Sequence, residues 1–519
     1  MSVLKPYTPA SRNLKALRQI VGDKYVSTSD ADRTIYSRDC NPVSIIWSSE
    51  GVIQHPPDFV VWPGSVEEVV KIVRLAAERK IPLVPFGAGS GVVKGTEPVR
   101  GGIALDLKRM DRILSVDETS LLVKAEAGII GEHFEREMNR RGYTLGHFPS
   151  SIYCSTLGGW AATRSAGQLS TKYGKIEDMV VSLDVVLPDG APISTREVPR
   201  SAAGPDLDQL FIGSEGTLGI ITAVTMRMSP YPESRLFLAF IFPDVPSSLQ
   251  AIRSMLRTGI KPAAMRVYDE LDTYIIGSRG KNGGGDHFLD FLPLREFNKL
   301  VRSLVPGMIR TTQRAILTRA DLANRLSRFM KEGCLMVLTF EGDGRMTRAE
   351  YEVAQERCEA AGGTNRGPEP ARRWWESRYH VSYNQSKVFY AGAFVDTIEV
   401  AATWDKVERL YFEVRKAISP RAFIMAHFSH AYPEGCSIYF TFVTAGMTPQ
   451  EAEKAHRRVW TEAMETCIKV GGTISHHHGI GLSRAEWMPE EHGNAFGLMQ
   501  ALKEQVDPEN LMNPGKLGL

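Results

Sequence analysis

Residues 149–178 constrain the fold of this 519-residue chain more than any other stretch. Their sequence, PSSIYCSTLGGWAATRSAGQLSTKYGKIED, combines glycines with small hydroxyl residues and has no acidic residue before Glu177. Glycine lets backbone N–H groups approach a ligand closely, and short hydroxyls add further donors. Because Tyr153, Trp160 and Tyr173 are interleaved, a solvated Gly/Ser linker is the weaker interpretation. The stretch predicts a site for a flat, extended anion such as a phosphate-bearing cofactor.

Chain length, net charge, cysteine spacing and the length of apolar runs exclude several classes of protein. A chain of 519 residues is too long for one core, so two or more domains are expected. A net charge of +2 gives no reason to expect nucleic acid as a partner. The six cysteines form no CxxC pair, which favours a reducing compartment over a disulfide framework or a zinc module. No apolar run has the length of a signal peptide core or a membrane span, so an intracellular protein is expected, cytoplasmic or peripheral to a membrane.

Strand and helix signals alternate over residues 55–232 and predict one α+β domain there, after a helical lead-in over 1–54. PDFVVWPGS predicts a strand. SVEEVVKIVRLAAERK predicts a helix, with Ser65 as its N-cap and Glu68 completing a capping box. IPLVPF predicts a second strand, which runs directly into the glycine turn GAGSG at 87–91.

The glycine turn 87–91 follows a strand, as a Rossmann fingerprint would. That fingerprint is excluded because Val92 stands where its last glycine is required, and no helix signal follows the turn. Consecutive N–H groups in a tight glycine loop can still hold a pyrophosphate. A turn without any ligand is the alternative, and the second Gly/Ser stretch downstream favours the cofactor.

Residues 233–470 predict a second α+β domain, in which strand-like FLAFIFP and CLMVLTFEG alternate with helical patterns. The remaining residues, 471–519, end in a helix and a Pro/Gly tail. Within the second domain, residues 294–331 form a strongly basic, amphipathic segment. Both a solvated helical face and a peripheral membrane contact fit this segment.

Three motifs follow one another along the chain: the glycine turn 87–91, the stretch 149–178 and GSEGTLGIIT at 213–222. In order and spacing they resemble the FAD-binding domain of the vanillyl-alcohol oxidase family, also called the p-cresol methylhydroxylase (PCMH) type. The resemblance implies an α+β protein with a two-subdomain PCMH-type FAD-binding domain. It also implies an α+β cap (substrate) domain with a central antiparallel sheet, and a C-terminal segment that packs back on the FAD domain.

The resemblance assigns FAD binding to three groups of residues. The glycine-turn group would hold the pyrophosphate: Pro85, Gly87, Ala88, Gly89, Ser90 and Gly91. The second group would line the phosphates and the isoalloxazine: Pro149, Ser150, Ser155, Thr156, Gly158, Gly159, Ser165 and Gly167. The third would lie near the adenosine and the ring edge, with Asp178 in the same pattern: Glu215, Gly216 and Ile220. Ser90 replaces the flavin-linked histidine of some members, and Cys154 needs thiolate character to form a thioether, so non-covalent FAD is expected.

Within the family, the chain is similar to the alkyldihydroxyacetonephosphate synthases over most of its length, including AMRVYD, CSIYFTFV and ISHHHGIG. The similarity implies that the acyl group of acyl-dihydroxyacetone phosphate is exchanged for a long-chain alcohol through a flavin N5 adduct, in ether-lipid synthesis. It also implies a homodimer. The implied acid/base, polarising and phosphate-binding residues are Tyr439, His476, His477, His478 and Arg266. Histidine titrates near neutral pH, and a tyrosine beside positive charge is expected to lose its proton more easily.

Arg266 and Tyr439 could instead have purely structural roles. Arg266 could pair with a carboxylate such as Asp269, and Tyr439 could be ordinary strand packing. The three adjacent histidines of a strand would point to opposite faces, so they could not easily bind one metal ion, and no metal is expected.

Departures from the synthases leave a second function open, an FAD-linked 2-hydroxy-acid dehydrogenase or oxidase of the glycolate or D-lactate type. The synthases carry an arginine where this chain has none between Arg378 and Arg409, although Lys387 could substitute. HFPSS at 147–151 and the tail NPGKLGL also differ, and His427 and His430 could serve a carboxylate or a metal. A third interpretation is a non-enzymatic flavin-binding module, which the retained acid/base residues disfavour.

Overall fold

The computed structural model describes residues 11–279, 324, 333–379, 393–445 and 449–519. These residues form two compact units. Unit 1 comprises Met1–Gly167, Tyr173–Tyr231 and His477–Leu519, and unit 2 comprises Gln168–Lys172 and Pro232–His476. The predicted basic segment 294–331, apart from Asn324, and Lys387 lie outside the described residues.

The helices are given in chain order. Those before residue 280 are α1 Ser11–Val21, α2 Asp30–Ile35, α3 Pro42–Ser49, α4 Val66–Arg79, α5 Gly131–Arg140, α6 Leu157–Ala162, α7 Ser170–Tyr173, α8 Ile176–Met179, α9 Asp208–Phe211, α10 Val245–Leu256 and α11 Glu270–Arg279. Those after residue 332 are α12 Gly344–Ala360, α13 Glu369–Ser377, α14 Val407–Ile418, α15 Pro449–Val470, α16 Met488–His492 and α17 Phe496–Val506.

The strands are also given in chain order. Those of unit 1 are β1 Val26–Ser27, β2 Phe59–Val61, β3 Leu83–Phe86, β4 Ile103–Asp106, β5 Ile113–Asp117, β6 Leu122–Glu126, β7 Tyr143–Thr144, β8 Val180–Val186, β9 Pro192–Ser194, β10 Ile220–Arg227 and β11 Ser229–Pro230. Those of unit 2 are β12 Ser234–Phe242, β13 Ala264–Tyr268, β14 Cys334–Gly342, β15 Thr364–Gly367, β16 Ala393–Thr403, β17 Phe423–Ala431 and β18 Gly435–Ala445.

Unit 1 contains two main sheets, which agrees with the predicted two-subdomain FAD-binding fold. One is four-stranded in the order β1-β2-β4-β3, and the other is five-stranded in the order β5-β6-β10-β8-β9. Strands β2 and β3 run parallel to the central β4, whose residues are all buried. The short β1 pairs with β2, so the predicted helical lead-in also supplies a strand to the first sheet.

Helix α4 shows how local sequence signals set an element of unit 1. The Ser65 hydroxyl accepts a hydrogen bond from the Glu68 N–H at 3.3 Å, which confirms the predicted N-cap. The Glu68 carboxylate accepts from the N–H of Gly64 at 2.7 Å, one residue before the position that a capping box requires. The helix ends at Arg79, and its C-cap Lys80 has a φ of 53°, in the left-handed region.

The chain end returns to unit 1 and extends its first sheet. The Leu83 N–H donates to the Leu511 carbonyl at 2.8 Å, and the Asn513 N–H donates to the Leu83 carbonyl at 2.8 Å. Met512 thereby forms a parallel bridge with Leu83 at the start of β3. These bonds satisfy backbone groups of an edge strand that would otherwise be unpaired.

Unit 2 is built on a sheet of seven described strands in the order β15-β12-β14-β13-β17-β18-β16. The described neighbours in this order are antiparallel, as predicted for the cap domain. Strands β12 and β14 pair in unbroken register from Ser234 opposite Gly342 to Phe242 opposite Cys334. Apolar residues predominate on both strands, and β14 is buried along nearly its whole length, as expected for a strand covered on both faces.

A buried carboxylate, Asp269, joins three elements of unit 2 at the end of β13. Its Oδ2 accepts hydrogen bonds from Arg415 Nη1 of α14 at 2.5 Å and from the Ala426 N–H of β17 at 2.9 Å. Its Oδ1 accepts from the Asp272 N–H at 2.9 Å in the first turn of α11. The partner of Asp269 is therefore Arg415, so the predicted alternative pairing with Arg266 is wrong.

Among the described helices, none combines the length and the apolarity that crossing a membrane requires.

The ion pair between the buried Asp269 and the partly exposed Arg415 predicts a stability effect. Asp269→Asn leaves the Arg415 guanidinium without its counter-ion, and we expect the free energy of unfolding to fall by about 3 kcal/mol. Urea denaturation followed by tryptophan fluorescence measures this change. The control is Glu352→Gln, which breaks the exposed pair with Arg348 and should cost about 0.5 kcal/mol or less. Equal effects of the two substitutions would contradict the organising role of Asp269.

Candidate functional site

The glycine turn 87–91 of unit 1 starts where β3 ends. A side chain at Gly87 would place its Cβ 2.4 Å from Thr156 Oγ1, so the turn and the Gly/Ser stretch approach each other as closely as glycine allows. Gly89 has a φ of +62°, and a Cβ there would lie 2.6 Å from the Phe86 ring. These two positions therefore require glycine, for close approach and for backbone conformation.

The backbone N–H groups of the glycine turn are available to a ligand. Within the part of the chain that the structure describes, residues 87–91 donate no backbone hydrogen bond to a protein acceptor. Residues 87–90 are nevertheless half-buried, a setting in which N–H groups normally have partners. A run of free donors in a tight turn fits the pyrophosphate of FAD.

The Gly/Ser stretch uses part of its small residues for internal packing. The Ser155 hydroxyl accepts from Trp160 Nε1 at 2.8 Å, and the Gly158 N–H donates to the Ala127 carbonyl at 2.8 Å. Thr156 is the N-cap of α6, where its hydroxyl accepts from the Gly159 N–H at 3.3 Å. Ser155, Thr156 and Gly158 thus fix the shape of the stretch, whatever they contact in the ligand.

His147, which sequence reasoning did not select, supports this stretch from inside. Its Nε2 lies 2.7 Å from Ser165 Oγ, and its ring centroid is 4.6 Å from that of Trp160. Burial lowers the pKa of His147 to about 3, so the imidazole is neutral. Gly167 packs against the backbone of His147 and Phe148, where a Cβ would lie 2.5 Å from the Phe148 nitrogen. An isolated histidine gives no sequence signal for such a contact.

Two other predicted residues of unit 1 have local roles. Asp178 accepts a hydrogen bond from the Lys175 N–H at 2.8 Å, within the first turn of α8. The Cys154 side chain is exposed, and loss of hydration around its sulfur raises the pKa of the thiol. A raised thiol pKa disfavours the thiolate that a thioether bond would need.

Glu215 contacts the C-terminal segment. Its buried carboxylate accepts hydrogen bonds from the N–H groups of Ile480 at 2.6 Å and Gly481 at 2.8 Å. Its carbonyl accepts from Asn513 Nδ2 at 2.6 Å. Burial raises the pKa of Glu215, because water no longer solvates the charge. The described bonds therefore place this carboxylate on protein backbone, and its position near the adenosine stays a prediction.

The remaining predicted FAD residues of unit 1 belong to its core or its loops. Gly216 has a φ of +75°, and a Cβ there would lie 2.8 Å from Pro85 Cγ, so these two residues pack together. Ile220 is fully buried at the start of β10. The Pro149 carbonyl accepts from the Ile152 N–H at 3.0 Å, and the neighbouring Ser150 is exposed.

His477 and His478 lie in unit 1, directly before the residues that Glu215 binds. Their ring centroids are 4.6 Å apart in an edge-on arrangement. Gly481 has a φ of +52°, and a Cβ there would lie 2.0 Å from the Val93 carbonyl oxygen. Contact with Glu215 on one side and Val93 on the other fixes the backbone that follows both histidines.

In unit 2, Arg266, His427 and Tyr439 lie on the neighbouring strands β13, β17 and β18. Arg266 Nη2 contacts His427 Nε2, and the His427 ring stacks on Tyr439 with centroids 4.7 Å apart. Because a guanidinium only donates, His427 Nε2 accepts and its Nδ1 carries the proton, 3.5 Å from Asp272 Oδ2. Burial and Arg266 hold the pKa of His427 well below its ordinary value, so the imidazole is neutral.

The pKa of Tyr439 differs in direction from the prediction. Loss of hydration raises the pKa of its hydroxyl, and this effect outweighs the lowering by Thr397 and Arg266. The expectation that neighbouring positive charge makes Tyr439 easy to deprotonate is therefore wrong. At neutral pH Tyr439 is a phenol, which can donate a hydrogen bond or a proton.

His476 lies at the end of unit 2, among polar side chains. Its N–H donates to Glu399 Oε2 at 2.5 Å, and its ring stacks on His430 with centroids 5.3 Å apart. His430 Nδ1 lies 2.7 Å from Ser170 Oγ, to which Tyr432 also donates at 3.2 Å. The ring nitrogens of His427 and His430 therefore contact different protein groups.

Family models match both parts of the chain. The FAD binding domain family matches residues 57–196, and the C-terminal domain of FAD linked oxidases matches residues 231–517. The free donors at 87–91 fit the first match, because they provide an anion site in the domain that binds FAD. These matches confirm the predictions of FAD binding and of an FAD-dependent enzyme.

Two curated relatives represent the two predicted functions. Alkyldihydroxyacetonephosphate synthase of Caenorhabditis elegans is 31% identical over 482 residues, which cover 90% of this chain and 77% of the relative. Glycolate oxidase subunit GlcD of Bacillus subtilis is 26% identical, over 96% of this chain and 95% of the relative.

Solved structures confirm the fold. A structure of alkyldihydroxyacetonephosphate synthase aligns with a TM-score of 0.77 and 25% identity, over 99% of this chain and 86% of that one. A structure of p-cresol methylhydroxylase aligns with a TM-score of 0.71 and 18% identity, over 98% and 96% of the two chains, and confirms the PCMH-type fold. The chain belongs to the family of FAD-linked oxidases that includes the alkyldihydroxyacetonephosphate synthases.

Proposed function

We propose that this chain is an alkyldihydroxyacetonephosphate synthase. Acyl-dihydroxyacetone phosphate and a long-chain alcohol would give the alkyl ether of dihydroxyacetone phosphate and a fatty acid. The observation that carries the proposal is the 31% identity to a synthase over 90% of the chain, against 26% to the glycolate oxidase subunit. The guanidinium of Arg266, the neutral imidazole of His427 and the phenol of Tyr439 are chemical groups that this reaction could use.

Arg266 is proposed to bind the substrate phosphate. Its Nη2 is occupied by His427, whereas its Nε is buried and has no partner among the described residues. A buried guanidinium N–H without an acceptor is costly, and a phosphate oxygen would satisfy it. The neutral His427 does not add charge but orients the guanidinium from the neighbouring strand.

Proton transfer is assigned to tyrosine and histidine. The reaction removes a proton from C1 of the substrate and expels a carboxylate. An imidazole of His477 or His478 would accept the C1 proton, since histidine works as a base near neutral pH. Tyr439, which stays protonated, would donate a hydrogen bond to the leaving carboxylate.

FAD would be held by residues 87–91 and 149–167 of unit 1, and when bound it supplies an electron-accepting ring. The donors on the glycine turn would bind its pyrophosphate. Ser165, fixed by the neutral His147, would present its hydroxyl toward the cofactor.

The second candidate is an FAD-linked 2-hydroxy-acid dehydrogenase or oxidase. The observation in its favour is that the glycolate oxidase subunit aligns over nearly all of both chains. The free Nε of Arg266 would bind a carboxylate as well as a phosphate. The two candidates differ in redox outcome, because only the second reduces the flavin overall.

Assembly and membrane contact are further parts of the proposal. We infer a homodimer, and a peripheral membrane contact through residues 294–331, whose alternating basic and apolar side chains suit an anionic lipid surface.

An anaerobic flavin spectrum tests the function. The purified protein would be titrated with palmitoyl-dihydroxyacetone phosphate, and in a parallel experiment with D-lactate and glycolate. The synthase predicts that the acyl ester bleaches the flavin absorbance, and that hexadecanol restores it without oxygen while the ether forms. Bleaching by a hydroxy acid that only an electron acceptor reverses would overturn the synthase in favour of the dehydrogenase.

Replacing the proposed proton-transfer groups should stop turnover without loss of cofactor. We expect Tyr439→Phe and His478→Ala each to lower kcat by about 100-fold or more, the usual contribution of a general acid or base. Absorbance at the flavin band should stay at one FAD per chain. Because the pKa of Tyr439 is raised above its ordinary value near 10, wild-type kcat should show no tyrosine-dependent decline between pH 7 and 9. Release of FAD from either variant would instead show a structural role.

The contact between Glu215 and the C-terminal segment predicts a positioning effect. Glu215→Gln keeps one acceptor oxygen for two N–H groups, so the backbone after His478 loses one of its bonds. We expect kcat to fall about tenfold with KM changed less than twofold, since a lost hydrogen bond to a charged group is of that size.

The matched control for Glu215 is Glu135, another buried glutamate of unit 1 that accepts from a backbone N–H, that of Leu145, at 2.8 Å. Glu135→Gln should lower thermal stability and leave kcat unchanged. Equal loss of kcat in both variants would mean that Glu215 acts only through the stability of unit 1.

A further inference from the structure

Lys108 lies two residues past the end of β4, beside the glycine turn. Its Nζ donates a hydrogen bond to the Gly87 carbonyl at 2.8 Å and another to Asp106 Oδ2 at 2.5 Å. Its side chain is 36% exposed, and Nζ lies 5.3 Å from the centroid of the Phe86 ring. An ammonium group therefore lies against the first residue of the turn and the last residue of β3.

Asp106 holds Lys108 in this position. Its fully buried carboxylate accepts from the Lys108 N–H through Oδ1 at 2.8 Å and from the Tyr36 hydroxyl through Oδ2 at 2.5 Å. Burial and Asp106 raise the pKa of Tyr36, so this hydroxyl keeps its proton and donates. Trp62 Nε1 in turn donates to the Tyr36 oxygen at 3.0 Å. The carboxylate is bonded on both oxygens, which fixes the direction of the lysine side chain.

The bond from Lys108 changes the donor strength of the turn. The Gly87 carbonyl belongs to the same peptide group as the Ala88 N–H, which is one of the free donors. A cation bonded to the oxygen of a peptide polarises the group and makes its N–H a stronger donor to an anion. The positive charge also lies next to the turn, where it attracts an anion directly.

We propose that Lys108 is a positioning residue for the pyrophosphate of FAD, acting through the Gly87–Ala88 peptide. It fixes the start of the glycine turn against β4, strengthens the Ala88 N–H as a donor and adds a positive charge beside the site. Asp106 and Tyr36 hold the ammonium for this purpose. The proposal concerns cofactor binding, so it does not depend on which substrate the chain converts.

Cofactor titration of the apoprotein tests this role. Lys108→Met keeps the length of the side chain and removes the charge and the donors. We expect the Kd for FAD, measured from the quenching of flavin fluorescence, to rise about tenfold, the usual size for a charge-assisted hydrogen bond. The Kd for riboflavin, which has no pyrophosphate, should change less than twofold. Lys108→Arg, which keeps the charge, should recover most of the FAD affinity.

The matched control is Lys124, another partly buried lysine of unit 1. Its Nζ pairs with Asp184 at 2.7 Å within the five-stranded sheet. Lys124→Met removes an equivalent charge and ion pair, and should change neither Kd by more than twofold. The wild-type Kd for FAD should also rise more steeply with NaCl than that of Lys108→Met, because screening acts on the charge.

Two results would overturn the proposal. Wild-type FAD affinity in Lys108→Met would show that the lysine serves only as the counter-ion of Asp106. An equal loss of FAD and riboflavin affinity would show general damage to unit 1, and Lys108→Arg would then fail to restore either ligand. Neither result would bear on the synthase reaction, which the substrate titration tests separately.

Discussion

The fold of unit 1 depends on one buried carboxylate, that of Glu215. A buried charge is costly unless several donors surround it, and the donors here are the N–H groups of Ile480 and Gly481. The returning chain end supplies these donors and so lowers the cost of burying a carboxylate in the GSEG turn. Asn513 completes the contact by bonding the carbonyls of both Gly95 and Glu215. One acidic residue thus explains why the segment that carries His477 and His478 belongs to the FAD-binding unit and not to unit 2.

In unit 2 the buried carboxylate of Asp269 likewise needs several donors. Its hydrogen bonds lie next to the residues that are proposed to bind substrate. This carboxylate bonds the Ala426 N–H of β17 immediately beyond β13, and the Asp269 N–H donates back to the Ala426 carbonyl at 2.9 Å. The next residue of β17 is His427, which contacts Arg266 of β13. Arg415 balances the charge of Asp269, and the buried Nε of Arg266 has no acceptor among the described residues, which supports the proposed phosphate contact. The two arginines therefore differ in their partners: Arg415 pairs with the Asp269 carboxylate, whereas Arg266 contacts His427.

Much of the fold could be predicted from the sequence, because its signals are local. The Ser65 cap of α4, the strand before the glycine turn and the apolar runs of β12 and β14 are encoded within a few residues. The two-residue strand β1 could not be predicted, since it is defined only by its partner β2. The same holds for the pairing of Asp269 with Arg415 and for the contact between His147 and Ser165. For Tyr439, a neighbouring positive charge was expected to lower the pKa, but burial is invisible in the sequence and dominates.

Composition also could not distinguish glycines that serve internal packing from glycines that allow a ligand to come close to the backbone. Gly158 bonds and packs against Ala127, and a Cβ at Gly131 would lie 2.1 Å from the Trp160 ring, so both positions serve internal packing. Residues 87–91 differ because their N–H groups have no acceptor among the described residues, although residues 87–90 are half-buried. A folded chain tolerates such a run when a bound anion satisfies it, as the pyrophosphate of FAD would. The hydrogen-bonding state of the backbone, and not the abundance of glycine, therefore supports the proposed cofactor site at residues 87–91.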